Sequence, residues 1–229
     1  MPQTYVIGDI HGAYKALKQC LERSEFDYES DHLICLGDVC DGWPETKSCV
    51  DELLKIKKLT YILGNHDLWA IRWMKANIMD NLWLSQGGSA TVSSYAEGIP
   101  LAHVTFFDKG VPYFVVDNKL FVHAGFDPRR PLEQQDIQTF SWDRSLVQKA
   151  WELLVHEKTL KLTTYDEVYI GHTPIPFHRP IQSCEIWMMD TGAGWSGVLS
   201  MMNIHTKEVF ISDQVPLLYP EFEGRMKKK

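Results

Sequence analysis

The sequence predicts an α/β (α+β) fold in which two mixed β-sheets stack face to face with helices flanking them. Three observations predict it. Up to about residue 67, short β-branched runs alternate with amphipathic stretches, the pattern of parallel strands joined by right-handed crossovers. From residue 111 onward, strands follow one another through short turns, as antiparallel pairs do. Each early strand ends in glycine and polar residues, and ligands gather beyond the carboxyl ends of parallel strands. Two stacked sheets covered by helices accommodate both kinds of pairing.

A chain of 229 residues suits a single domain, expected over residues 1–229 with a helical, aromatic-rich segment at about 68–98. Hydrophobic residues make up 45%, enough for one large core. A net charge of −7 argues against a nucleic-acid coat protein and against a polybasic membrane binder. No apolar stretch approaches the ~20 residues that span a bilayer. Met1-Pro2-Gln3-Thr4 leads directly into a strand without the pattern of a secretion signal. The five cysteines (Cys20, Cys35, Cys40, Cys49, Cys184) are odd in number and lack zinc-type Cys-x-x-Cys spacing. A reduced, cytoplasmic setting and no membrane partner are therefore expected.

The first strand, Tyr5-Val6-Ile7, runs into Gly8-Asp9-Ile10-His11-Gly12. There glycine permits a tight turn, and a carboxylate and an imidazole lie two residues apart. Ala13, Leu17, Cys20 and Leu21 form one stripe of a helix over Ala13 to Arg23. A second strand, His32 to Leu36, ends in Gly37-Asp38-Val39-Cys40-Asp41-Gly42. Pro44 is expected to start a helix carrying Cys49, Val50, Leu53 and Leu54 on its apolar face. A third strand, Leu59 to Leu63, ends in Gly64-Asn65-His66-Asp67. The segment after it holds Trp69, Trp73 and Trp83, expected in the core rather than as a stacking platform. Strands over Val111 to Val116 and Lys119 to Val122 meet at Asp117-Asn118, a two-residue hairpin turn, and lead into His123-Ala124-Gly125. Pro131 to Leu154 reads as helical. Strands over Asp166 to Ile170 and Glu185 to Met189 then end in Gly171-His172-Thr173-Pro174 and Asp190-Thr191-Gly192. A final hairpin pairs Val198 to Ile204 with Glu208 to Ser212, and Lys227-Lys228-Lys229 closes a solvated tail.

Separate strand ends thus offer Asp9, His11, Asp38, Asn65, His123 and His172. Two metal ions ~3.5–4 Å apart need about this inventory, with one carboxylate bridging them. Carboxylate, amide oxygen and imidazole without thiolate suit Mn²⁺ first, with iron, Zn²⁺ or Ni²⁺ as alternatives, and not a structural zinc cage.

In this order the motifs GDIHG, GDVCDG, GNHD, HAG and GHTP, from Gly8 to Pro174, resemble the binuclear phosphoprotein-phosphatase family within the calcineurin-like metallophosphoesterases. They also resemble its bacterial branch of serine/threonine phosphatases and symmetrical diadenosine-tetraphosphate hydrolases. Trp83 to Gly88, with Thr91 and Ser94-Tyr95, is similar to a stretch of that branch. The resemblance implies the four-layer metallophosphoesterase sandwich. Asp9 and His11 would hold a first metal, Asp38 would bridge, and Asn65, His123 and His172 would complete a second. A metal-bridging hydroxide would attack phosphorus in line. His66 would protonate the leaving-group oxygen, with Asp41 orienting it. Arg144, in Trp142-Asp143-Arg144, resembles a phosphate-contacting arginine of the bacterial branch.

The sequence departs from that family at its phosphate clamp. Arginines are usual after the second motif's aspartate and just before the GNH turn, where this chain has Gly42 and Leu63. A bidentate guanidinium is hard to replace at such a place. Arg72, Arg129, Arg130 and Arg179 are further cations without a motif to choose among them. The leading expectation is a serine/threonine-phosphatase-like phosphomonoesterase acting on a phosphoprotein or phosphopeptide. The alternative is a hydrolase of a dinucleoside polyphosphate or other nucleotide, or a phosphodiesterase. A non-catalytic metal-binding regulatory module ranks third.

Overall fold

The structure, a computed structural model, describes residues 2–225. In chain order these form β1 (Thr4–Ile7), α1 (Tyr14–Arg23), β2 (His32–Cys35), α2 (Thr46–Leu53), β3 (Lys58–Tyr61) and α3 (Asn65–Ala76). The short α4 (Asn81–Trp83), a π-helical turn over Leu84–Gly88, α5 (Ser89–Ser94) and α6 (Leu101–Asp108) follow. Then come β4 (Tyr113–Val116), β5 (Lys119–Val122), a 3₁₀ turn (Leu132–Gln134), α7 (Ile137–Trp142) and α8 (Ser145–Val155). The chain continues through β6 (Glu167–Ile170), β7 (Ile181–Ser183), β8 (Ile186–Met188), β9 (Ser200–Asn203), β10 (Val209–Ile211) and α9 (Val215–Leu218).

Two five-stranded mixed sheets result, ordered β10-β9-β1-β2-β3 and β4-β5-β6-β8-β7. Each has a parallel core of three strands, β1-β2-β3 in one and β5-β6-β8 in the other. The antiparallel strands sit at the flanks. Strands covered on both faces should be apolar almost throughout, and these are. Val6, Ile34, Phe121 and Tyr169 face the layer between the sheets, together with Met189 and Met202. Their neighbours Tyr5, Ile7, Leu33 and Cys35 face the helices of one outer layer. Leu120, Val122, Val168 and Ile170 face those of the other. The four layers are helix, sheet, sheet, helix, as the sequence predicts.

Several boundaries differ from expectation. The helix expected from Pro44 begins at Thr46, with Glu45 as its N-cap. The helical run expected over 131–154 is broken at Asp143, whose extended backbone (ψ 125°) ends α7. The Asp143 carboxylate then accepts from the Ser145 amide at 2.6 Å and opens α8, leaving Arg144 at its N-cap. Asp117 and Asn118 make the hairpin turn with φ of 48° and 55°, the left-handed pair that a tight β-turn of this hand requires. Strand β7 and helices α6 and α9 were not expected. The lysine tail lies outside the described residues. Among the described residues no helix is long and apolar enough to cross a membrane.

Candidate metal centre

All six parallel strands point their carboxyl ends to the same edge, and each delivers polar residues there. Asp9 follows β1, Asp38 follows β2, and Asn65 and His66 open α3 beyond β3. From the second sheet, His123 follows β5, His172 follows β6 and Asp190 follows β8. All seven side chains are buried. Two groups of ligand atoms form, Asp9–His11–Asp38 and Asp38–His123–His172, the atoms of each within 4.8 Å of one another and sharing Asp38. Asn65 Oδ1 is 3.2 Å from His123 Nε2. The structure therefore brings together every metal ligand that the sequence suggests.

Local bonds fix how each ligand is presented. His11 Nδ1 donates to the carbonyls of Cys40 (3.1 Å) and Asp41 (3.0 Å), which turns the Nε2 lone pair towards Asp9 and Asp38. His123 Nδ1 donates to the Leu36 carbonyl at 2.8 Å, aiming Nε2 at Asp38 Oδ2, 3.4 Å away. His172 Nε2 is buried without a hydrogen-bond partner, unusual for an imidazole nitrogen unless a cation takes it. Asp9 accepts the His172 amide, and a Cβ at Gly171 would stand 2.2 Å from Asp9 Oδ1, so only glycine lets the two turns close on each other. Asp67 accepts from the amides of Asp38 (2.7 Å), Val39 (2.9 Å) and Gly64 (2.9 Å) and holds the second turn in place.

The electrostatics match a cation site. Burial, with Asp190 close by, raises Asp9 well above the carboxylate range. Burial together with Arg225 keeps His11 neutral. His172 is driven down to about 2, first by burial and then by His123. Burial opposes a charge on His123, but Asp38 and Asp9 outweigh it and lift its pKa to about 10. Positive charge is thus in demand among these carboxylates, and two dications would meet it. Imidazoles, carboxylates and an amide oxygen fit Mn²⁺, iron or Zn²⁺.

Beside the clusters, His66 Nδ1 donates to Asp41 Oδ2 at 2.7 Å. Asp41 also accepts from Trp83 Nε1 at 2.6 Å and from Thr91 Oγ1 at 2.7 Å. These donors explain the stretch from Trp83 to Thr91 that the sequence singles out. Trp83 is fully buried and Trp73 nearly so, as expected. Trp69 departs from expectation: it is half-buried and walls the cleft, edge-on to both His66 and Trp142. The cleft is about 360 Å³ and includes His11, Asp38, His66, His172 and Arg144 on its surface. Arg72, Arg129, Arg130 and Arg179 do not line it, and Leu63 is buried. Asp190 and Arg225 do, and sequence reasoning assigned neither. For Asp190 a signal existed, since glycine and polar residues follow its strand as they follow the others.

A two-sheet sandwich carrying paired ligand clusters at its parallel edge defines the class, the α/β-sandwich metallophosphoesterases. The family model described as calcineurin-like phosphoesterase matches residues 3–197, and the chain belongs to that family. It is a hydrolase of phosphoric esters, in a metal-dependent family. Among curated relatives, serine/threonine-protein phosphatase 1 of Salmonella typhimurium is 27% identical over 210 residues, covering 87% of this chain and 91% of that one. A symmetrical bis(5'-nucleosyl)-tetraphosphatase of Cellvibrio japonicus is 24% identical over 266 residues, covering 89% of this chain and 96% of that one. Among solved structures, a candidate diadenosine tetraphosphatase superposes with a TM-score of 0.67 at 18% identity, covering 92% of this chain and 95% of that chain.

Proposed function

We propose that the chain is a binuclear-metal-dependent phosphomonoesterase of the serine/threonine-phosphatase kind, with a phosphoprotein or phosphopeptide as substrate. The observation that carries this reading is the pair of ligand clusters sharing Asp38, with His66 bonded to Asp41 at their edge. Asp9, His11 and Asp38 would hold one ion, and Asp38, Asn65, His123 and His172 the other. Two divalent ions, Mn²⁺ first, would supply a water activated near neutral pH and neutralise charge on the phosphoryl oxygens. His66 delivers a proton to the leaving-group oxygen. Asp41 keeps that proton on the cleft side, because its bond to Nδ1 fixes the ring and leaves Nε2 facing the cleft. Arg144, which lines the cleft and whose charge is felt at His172, meets the phosphoryl group there. Resemblance along most of the chain to the Salmonella phosphatase supports the monoester reading. Four buried, unpaired thiols fit a reduced, cytoplasmic setting.

A second reading, hydrolysis of a dinucleoside polyphosphate, has its own support. Trp69, Trp142 and Trp195 line the cleft and offer flat apolar faces to a base, and Gly42 and Leu63 stand where clamping arginines are usual. Assays of the Mn²⁺-loaded protein on a phosphoserine peptide, diadenosine tetraphosphate and a bis-aryl phosphodiester separate the readings. The highest kcat/KM is expected on the peptide. Cleavage of the tetraphosphate alone would overturn the monoester assignment, and no turnover on any ester would leave the regulatory module. His66→Asn is expected to lower kcat on an alkyl phosphate by roughly 10²–10³-fold. It should change kcat on a nitrophenyl phosphate little, with bound metal unchanged by elemental analysis.

A further inference from the structure

Arg225 reaches the cleft from a part of the chain that no motif touches. Beyond α9, Tyr219 stacks on Trp43 with ring centroids 5.2 Å apart, and its hydroxyl donates to Glu45 Oε2. Gly224 then lies against the same indole, where a Cβ would come within 2.6 Å of Trp43 Cζ2. These contacts carry the segment over the second turn. The Arg225 side chain crosses Gly42 and Gly87: a Cβ at Gly42 would meet its Cγ at 3.1 Å, and one at Gly87 would meet it at 3.2 Å. Space that a side chain at position 42 would fill is therefore occupied by this arginine.

The guanidinium ends among the ligands. It lies over the Trp195 ring at 4.7 Å, Nη2 donates to Gln86 Oε1 at 3.2 Å, and Nη1 donates to His11 Nε2 at 3.1 Å. Its Nε is buried without a hydrogen-bond partner, and no carboxylate among the described residues pairs with it within 4 Å. A partly buried guanidinium that pairs with no carboxylate among the described residues has donors to spend, and one engaged at Nε and Nη binds a phosphoryl group through two parallel bonds. Once a cation holds His11 Nε2, Nη1 is released as well.

We propose that Arg225 is the phosphoryl-binding arginine of this chain, supplied from the distal segment across Gly42. The assignment rests on the phosphoesterase reading. Trp195 and Gln86 steer the guanidinium, and Arg144, which lines the same cleft, adds a second cation to the grip.

The test compares Arg225→Gln and Arg225→Lys with wild type in the full Mn²⁺-loaded chain. Binding of inorganic phosphate is measured by calorimetry, alongside kcat/KM for p-nitrophenyl phosphate and for bis(p-nitrophenyl) phosphate. Arg225→Gln is expected to weaken phosphate binding at least tenfold. It should lower kcat/KM for the monoester more than for the less charged diester, at unchanged metal content and melting temperature. Millimolar guanidinium should restore part of the loss, and Arg225→Lys should fall between. Unchanged phosphate affinity in Arg225→Gln would overturn the assignment. So would tighter metal binding with undiminished turnover, which would make the arginine a competitor for the metal site. A loss that follows metal content or melting temperature, without guanidinium rescue, would show a structural role instead. Wild type that neither binds phosphate nor cleaves either ester would instead defeat the phosphoesterase reading beneath it.

Discussion

Asp41 accepts from His66, Trp83 and Thr91, while its own amide donates to Thr91 Oγ1 at 2.9 Å. One hydroxyl thus acts as donor to the carboxylate and acceptor from the amide, and it holds a residue whose φ is +72°. Removing that hydroxyl leaves two buried groups unmatched, which costs about 1–3 kcal/mol for each group left unpaired. Thr91→Val is therefore expected to lower unfolding free energy by about 2 kcal/mol in urea titrations. It should reduce turnover less than His66→Asn does, since His66 keeps its bond to Asp41 Oδ2. At this scale the clustered residues were legible in the sequence as candidates because few residue types bind a dication and they recur beside glycine at strand ends. Arg225 was not. Its place depends on Tyr219 stacking on Trp43, a contact between distant segments that no local spacing encodes.

Glu52 ties two helices together. Its carboxylate, on α2, accepts from Lys18 of α1 at 3.0 Å, from Tyr28 at 2.5 Å and from Lys55 at 2.6 Å. Burial pushes its pKa up, but hydrogen bonds from Lys55, Tyr28 and Lys18 outweigh that and hold it at about 2. A carboxyl depressed on folding adds stability above its unfolded pKa of about 4.3. That stability is lost as pH falls through the folded value. Glu52→Gln is expected to cost roughly 1–2 kcal/mol at pH 7, a modest figure because both lysines are partly exposed. The difference from wild type should shrink between about pH 4.3 and 2 in pH-dependent denaturation. Elements with a full period of pattern were readable: the Leu17–Cys20–Leu21 stripe of α1 is buried, and β1 to β3 pair in parallel. Strand β7, of three residues, and α9, of four, are too short to show a period. The break between α7 and α8 escaped because Asp143 interrupts a pattern that is helical on both sides.

For the whole molecule, the stacking of two sheets was legible because early strands alternate with helices while late strands come in hairpins, and two mixed sheets accommodate both. That the turns after β1, β2, β3, β5 and β6 would meet across the stack was legible from the motifs they carry, whereas the turn after β8, with Asp190, was not assigned. The layer between them, with Val6, Ile34, Phe121, Tyr169 and Met202, is apolar and without direction of its own. Polar ties act at its two ends. At one end Lys207, beyond β9, pairs with Glu167 of β6 at 2.5 Å and donates to the Tyr169 hydroxyl at 2.6 Å. At the other, the His172 amide reaches Asp9 and His123 Nδ1 reaches the Leu36 carbonyl. Metal bound across Asp9, His11 and Asp38 of one sheet and His123 and His172 of the other would act there as a rivet through two plates. At a hundred times its dissociation constant such an ion adds about 2.7 kcal/mol. Chelation is expected to lower the melting temperature and to speed amide exchange in β1, β2, β5 and β6 together, leaving the Lys207 end slower. Exchange that quickened in one sheet alone would show that the plates are not fastened there. With the ions removed, the edge that gathers the chemistry is the edge at which the two halves of the sandwich part, and the Lys207 end is the hinge.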